Sequence, residues 1–221
     1  MARYGIVVDL DRCVGCMTCV LSCKEENLTR PGVWWNQILQ VESEAQDRIV
    51  YVRYACMHCD EPPCMAACPN EAIYRRPDGV VLVDQNKCAG VQACVEACPY
   101  DVIVMTPDAE YFPEEGGFLP AGEEALAPYR QHQPGKASMC TLCYQRIDVG
   151  RQPACVEGCP SKAMTFVDLD DHAISEDPSV LRSQPMDTDV NSKPKVTYVF
   201  PERLGDEIKK KVRENPYMLG G

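Results

Sequence analysis

The chain has 221 residues, enough for one sizeable domain or two small ones, with 33 acidic against 22 basic side chains and a formal charge of −11. That balance argues against a nucleic-acid partner, which would need basic patches. No apolar run reaches the roughly 18 residues of a bilayer-spanning helix. Fifteen cysteines beside four Phe and two Trp point to a fold held by cross-links or metals more than by a large apolar core.

In chain order, residues 3–9 (RYGIVVD) form a β-branched run suited to a strand. The first cysteine run is Cys13, Cys16, Cys19 and Cys23. Gaps of two residues let a tight loop aim three sulfurs at one centre. The three-residue step then puts Cys23 about one turn after Cys19, on a helix predicted over residues 20–27. Lys24 stands where such runs usually carry Pro. Residues 29–46 read as a connecting loop or short amphipathic piece, with Trp34 and Trp35 packed beneath it or turned to a partner chain. Residues 49–54 (IVYVRY) read as a second strand.

The second run is Cys56, Cys59, Cys64 and Cys68, followed by Pro69. A turn at Pro77, Asp78 and Gly79 and a strand over residues 80–84 lead to the third run, Cys88, Cys94, Cys98 and Pro99. In that run Val91 occupies the second ligand position. CPNEAI and CPYDVI follow the two runs in matching places, an internal repeat that CPSKAM echoes after the fourth. Residues 111–136, rich in Pro, Gly and Glu, are expected as a long surface insertion. The fourth run is Cys140, Cys143, Cys155, Cys159 and Pro160, with a helical turn over 144–148 that Gly150 stops. The tail holds acidic turns, a strand over 196–200 and a charged helix around 202–213, with Lys209, Lys210 and Lys211 on a solvated face.

Disulfides would call for an oxidising compartment, an export signal and an even cysteine count; the start MARYGIVVDLDRC has no apolar signal region. Thiolates suit zinc or iron–sulfur centres. A helical fourth Cys followed by Pro, found in three of the four runs, is the ferredoxin arrangement rather than a zinc one. His58, inside Cys56–Met57–His58–Cys59, is expected as a hydrogen-bond donor near the sulfurs or as a surface residue. No nucleophile–base pair and no phosphate loop stands out, so no catalytic residue is assigned.

In two-cluster ferredoxins the fourth Cys of each run ligates the other run's cluster. The second and third runs, joined by a connector of ferredoxin length, then form one pair, and the first and fourth pair across them. Cluster one takes Cys13, Cys16, Cys19 and Cys159; cluster two takes Cys23, Cys140, Cys143 and Cys155. Cluster three takes Cys56, Cys59, Cys64 and Cys98; cluster four takes Cys68, Cys88 and Cys94, with Val91 at the empty corner. Valine cannot bind iron, so three [4Fe-4S] clusters and one [3Fe-4S] cluster are expected, the alternative at the fourth site being a [4Fe-4S] cluster with one iron held only by water or a carboxylate. The predicted fold is α+β with two ferredoxin-like, pseudo-two-fold, two-cluster modules. The outer module spans 1–55 and 137–170 and the inner one 56–106, with a surface insertion at 107–136 and a C-terminal extension at 171–221.

The segments MARYGIVVDLDRCVGCMTCVLSCKEEN, CMHCDEPPCMAACPNEAI, CTLCYQRIDVGRQPACVEGCPSKAM and FVDLDD together resemble the four-cluster electron-transfer subunits of the dimethyl sulfoxide reductase superfamily. Iron–sulfur subunits of polysulfide, thiosulfate and arsenate reductases are similar in kind. The resemblance covers most of the chain, and Val91 is the departure; some members of the wider superfamily also replace a cysteine in this run. It implies a non-catalytic relay partnered by a large molybdenum or tungsten pterin subunit, with cluster one on that side. At the far end it implies a membrane quinone-reactive subunit or a soluble carrier. It also implies a place in the periplasm, co-exported with the catalytic subunit, or in the cytoplasm. Two other readings stay open at this point: the small subunit of a soluble transhydroxylase or aromatic dehydroxylase, and a free polyferredoxin, against which the long insertion and tail weigh.

Overall fold

A computed structural model describes residues 2–30, 32–44, 46–107, 133–187, 191–214 and 217–219. Strand β1 (Tyr4–Asp9) is followed by helix α1 (Thr18–Asn27), strands β2 (Asn36–Ser43) and β3 (Arg48–Ala55), and helix α2 (Pro63–Ala66). Next come β4 (Ile73–Arg75), β5 (Val81–Val83), α3 (Ala93–Glu96), β6 (Val104–Met105) and β7 (Ala137–Ser138). The chain goes on through α4 (Tyr144–Ile147), α5 (Ala154–Glu157), β8 (Met164–Asp168), α6 (His172–Ser175) and α7 (Pro178–Arg182), then β9 (Val196–Val199), α8 (Gly205–Glu214) and β10 (Tyr217–Leu219).

The run Gly5 to Val8 is buried, as a central strand covered on both faces should be. β1 takes β8 antiparallel on one side and β9 parallel on the other. Residues 4–9 are therefore tied to segments far along the sequence, 164–168 and 196–199. β2 and β3 form a long antiparallel hairpin that runs from the Asn36–Ala55 pair to the Ser43–Arg48 pair, and β10 adds to its free edge. β4 with β5, and β6 with β7, make two small hairpin-like ladders.

Four of the helices that follow cysteine loops, α2 to α5, are only four residues long. α2, α3 and α5 each stop within two residues of a Cys–Pro pair, because Pro cannot donate to the helix ladder and restricts the residue before it. The third residue after each of those cysteines, Glu71, Asp101 and Lys162, is left-handed with φ between 49° and 51°. The repeat seen in the sequence is thus a repeat of backbone path. The first run has Lys24 in place of Pro, and α1 runs on to Asn27. Lys24 Nζ then donates to the carbonyls of Thr29, Arg30 and Val33 at 3.0, 2.7 and 3.0 Å, tying down the chain just past the helix. α1 and α5 approach so closely that a Cβ on Gly158 would lie 2.6 Å from Ser22 Oγ.

The structure corrects three expectations. Residues 29–46 are not simply a loop, since 36–43 form β2. The adjacent Ile38 and Leu39 disguise the strand, and both are buried because both faces of the hairpin are covered. Lys209 is not on a solvated face: it is 7 % exposed, and its amine donates to Gln184 Oε1 at 2.9 Å and lies over the Phe200 ring. His58 is not at the surface but 1 % exposed. Trp35, in contrast, packs as one of the two expectations had it, buried with its indole N–H donating to Ser138 Oγ.

Residues beyond 171 do more than trail. Besides supplying β9, they clamp the loop of the second cysteine run: Asp60 and Glu61 N–H donate to the carbonyls of Lys193 and Ser192, and Lys195 N–H donates to Met57 O, at 2.9–3.0 Å. Of the expected insertion, residues 108–132 lie outside the described residues.

Candidate functional site

The turns after the cysteines aim backbone N–H groups at sulfur. His58 N–H donates to Cys56 Sγ and Leu142 N–H to Cys140 Sγ, each at 3.4 Å. Ala72 and Ala163 N–H donate to Cys68 and Cys159 Sγ at 3.3 Å, four residues on from each fourth cysteine. Burial alone would raise the Cys68 thiol, but the N–H groups of Ala72, Asn70, Ile73 and Glu71 bring it below its ordinary value. Such donors favour negative charge on sulfur and help set the potential of whatever the sulfur binds.

The tertiary fold gathers the thiols into four sets. Cys13, Cys16 and Cys19 line one cavity with Cys159, which arrives from the fourth run. Cys56, Cys59 and Cys64 line another with Cys98. Cys23 is pushed well up by burial and then by the neighbouring Cys140, Cys143 and Cys155. Asn27 Nδ2 sits 3.6 Å from Cys23 Sγ and 3.7 Å from Cys143 Sγ. Cys94 is raised by burial, then by Cys88 and Cys68. Val91, where a fourth thiol would stand in that last set, is 56 % exposed. Among the described residues no group of three or more His, Cys, Asp or Glu is placed to hold a single metal ion.

Each set neighbours the next. Burial lifts Cys19 to about 12, with Arg53 opposing and Cys155 of the second set adding to the rise. Cys56 of the third set is raised by burial and then by Cys140 of the second. Cys64, again lifted to about 12 by burial, feels Cys94 of the fourth set after its own partners Cys98 and Cys59. The second and third sets are made wholly of buried cysteines. The first reaches the surface through Cys16 and in part Cys13, and the fourth in part through Cys68 and Cys88.

Residues 48–112 and 125–169 match the family described as 4Fe-4S dicluster domain, and residues 6–29 match 4Fe-4S binding domain. The chain is 38 % identical to a Halobacterium salinarum protein named as a dimethyl sulfoxide reductase iron–sulfur subunit, over 77 % of this chain and 68 % of that one. It is 35 % identical to a tetrathionate reductase subunit of Salmonella typhimurium, over 76 % of this chain and 59 % of the relative. With the arsenate respiratory reductase iron–sulfur subunit of a Shewanella species the identity is 32 %, over 89 % and 96 %.

The chain belongs to the iron–sulfur subunits of the dimethyl sulfoxide reductase family. Its role is electron transfer rather than catalysis, and its clusters are of the 4Fe-4S type.

For an iron–sulfur subunit the donor set fits. Thiolates buried this deeply repel one another, and bound iron compensates that charge. Two buried side chains keep donors in reserve. Arg53 Nε and Nη1 have no hydrogen-bond partner, while Nη2 lies 3.9 Å from Cys155 Sγ. His58 Nδ1 accepts from Val81 N–H at 3.1 Å, which leaves the proton on a buried and unpartnered Nε2. Burial, then Lys195 and Arg53, lower His58 to about 3, so it is neutral. The cysteine motifs give no hint of Arg53 or Asn27, because neither lies in a cysteine run. The available signal was a lone arginine inside the otherwise uncharged strand IVYVRY.

Proposed function

We propose that the chain relays single electrons through four clusters, between a large molybdenum- or tungsten-pterin catalytic subunit and a membrane quinone-reactive subunit or soluble carrier. Cluster one is held by Cys13, Cys16, Cys19 and Cys159, and cluster two by Cys23, Cys140, Cys143 and Cys155. Cluster three is held by Cys56, Cys59, Cys64 and Cys98. Cys68, Cys88 and Cys94 hold the fourth, of the [3Fe-4S] type, because Val91 offers iron no ligand. When bound, such clusters accept and release one electron each. The protein's part is to fix their order, exclude water from the middle pair, and bring the end pair close to partners.

One observation carries the reading: four thiol sets adjoin in sequence, with the inner two sets buried and the outer two at the surface. The relatives named as reductase subunits support a catalytic partner at one end. No described helix is long and apolar enough to cross a membrane, and the membrane step is assigned to another chain. The pairing of first with fourth and of second with third run supports two ferredoxin-like modules, one inside the other. The subunit works wherever its catalytic partner does, in the periplasm after joint export or in the cytoplasm.

Anaerobic isolation from the native source tests this. Iron analysis should give about fifteen irons per chain, three fours and a three, and mass spectrometry should find a co-purifying large subunit. Zinc in place of iron, or a lone chain of 24.6 kDa on gel filtration, would overturn it.

A further inference from the structure

Arg53 heads the fully buried side chains by size among the described residues. It sits on β3 among the buried Val50, Val52 and Ala55, where an aliphatic residue would be expected. It pairs in register with Ile38, and both side chains line the cavity of the first thiol set. On its other side Nη2 is 3.9 Å from Cys155 Sγ of the second set. Among the described residues no carboxylate pairs with it. Its Nε and Nη1 are dry and without a partner, an arrangement that is costly unless something negative lies against them. The guanidinium is charged at any ordinary pH; burial opposes that charge, and the neighbouring Cys155, Cys140, Tyr198 and Cys19 favour it.

We infer that Arg53 is a positioning residue for electron transfer, a fixed cation that bridges sites one and two and donates N–H bonds to sulfur on both sides. The inference rests on the ligand assignment proposed above. A neighbouring positive charge favours the more negative, reduced form of each site, and N–H···S bonds act in the same direction. Both effects reach sites one and two together, so the two potentials rise in step. With clusters bound, an electron passing between the two sites would leave Arg53 protonated. Site three has a different cation, Lys195, acting on Cys59.

The test compares Arg53→Met, which keeps an unbranched stem without charge, with Arg53→Lys, which keeps the charge and loses the planar fork. Both are isolated anaerobically, iron is counted, and each site's potential is read by redox titration with electron paramagnetic resonance. Arg53→Met should shift the reduction equilibria of sites one and two against reduction by about tenfold, equal to about 59 mV for a one-electron couple. Sites three and four should hold their values, and Arg53→Lys should recover part of the shift. Full iron with unmoved potentials at sites one and two overturns the inference. Too little iron in the unmutated chain overturns the ligand assignment instead. If the variants lose iron, the unmutated chain decides. Labelled with nitrogen-15 arginine and reduced, it should show a nitrogen-15 coupling to sites one and two by pulsed resonance. No coupling at either site overturns the bridge.

Discussion

The first and fourth thiol sets stand at opposite ends of one series and are built on the same sequence pattern, yet their surroundings differ. The first has four cysteines, one of them exposed and one partly exposed, and a buried arginine behind them. The fourth has three cysteines, two of them partly exposed and accepting from the N–H groups of Ala72 and Ala137, and an exposed valine at the remaining corner. Peptide N–H groups reach sulfur at both ends, but one end has four thiols with a fixed charge behind them, while the other has three thiols and a valine. A pair of ends tuned by different means can sit at different potentials without any change in overall fold.

The largest effect should come from abolishing both ends at once. Without iron, the buried thiols of Cys19, Cys64 and Cys143, each raised to about 12 chiefly by burial, lose the partner that justifies their position. Anaerobic chelation should remove the cooperative melting transition; an iron-free chain that melts like the native one would show that the clusters do not hold the fold. Next in size, Cys159→Ser should disturb the site of Cys13, Cys16 and Cys19 and leave that of Cys140 and Cys143 intact. Loss of the latter alone would reverse the pairing of the two outer runs. Val91→Cys should make the ends alike: a three-iron resonance present in the oxidised native chain should vanish as the fourth iron gains a thiolate. If the native chain has no such resonance, the contrast in ligand number fails. The smallest effect belongs to Asn27→Leu. It removes amide contacts to Cys23 and Cys143 worth about 1 kcal/mol, and should lower the potential of the second site alone, as titration would reveal.

Much of the site was legible because cysteine spacing fixes reach. Two-residue gaps force three sulfurs of one run toward a point, and the strand and turn between Pro69 and Cys88 leave little freedom for the second and third runs. β1 and β3 were legible from β-branched runs, and α1 from the step between Cys19 and Cys23. What escaped depended on neighbours distant in sequence. The Ile38–Leu39 pair breaks strand alternation, and only its two-sided burial makes sense of it. Three consecutive lysines read as solvated until Gln184 and Phe200 supply one of them with a partner and a platform. The first run has Lys24 where the others have Pro after the fourth Cys. That difference decides where α1 ends, and so delivers Asn27 to the second set.

The sheet that joins β1 to β8 and β9 also bears on how the molecule is made. A ribosome emits Cys13 through Cys23 first and must synthesise more than half of the remaining polypeptide before Cys155 and Cys159 appear. Residues 56–98, by contrast, emerge together and hold within themselves all the thiols of two sets. If the sites are ligated as proposed, biogenesis has a built-in schedule: the third and fourth sites have all their thiols once residue 98 is made, whereas the first and second must wait for residues 155–159. An early release or a truncated message would leave a half-furnished protein with its earliest cysteines bare.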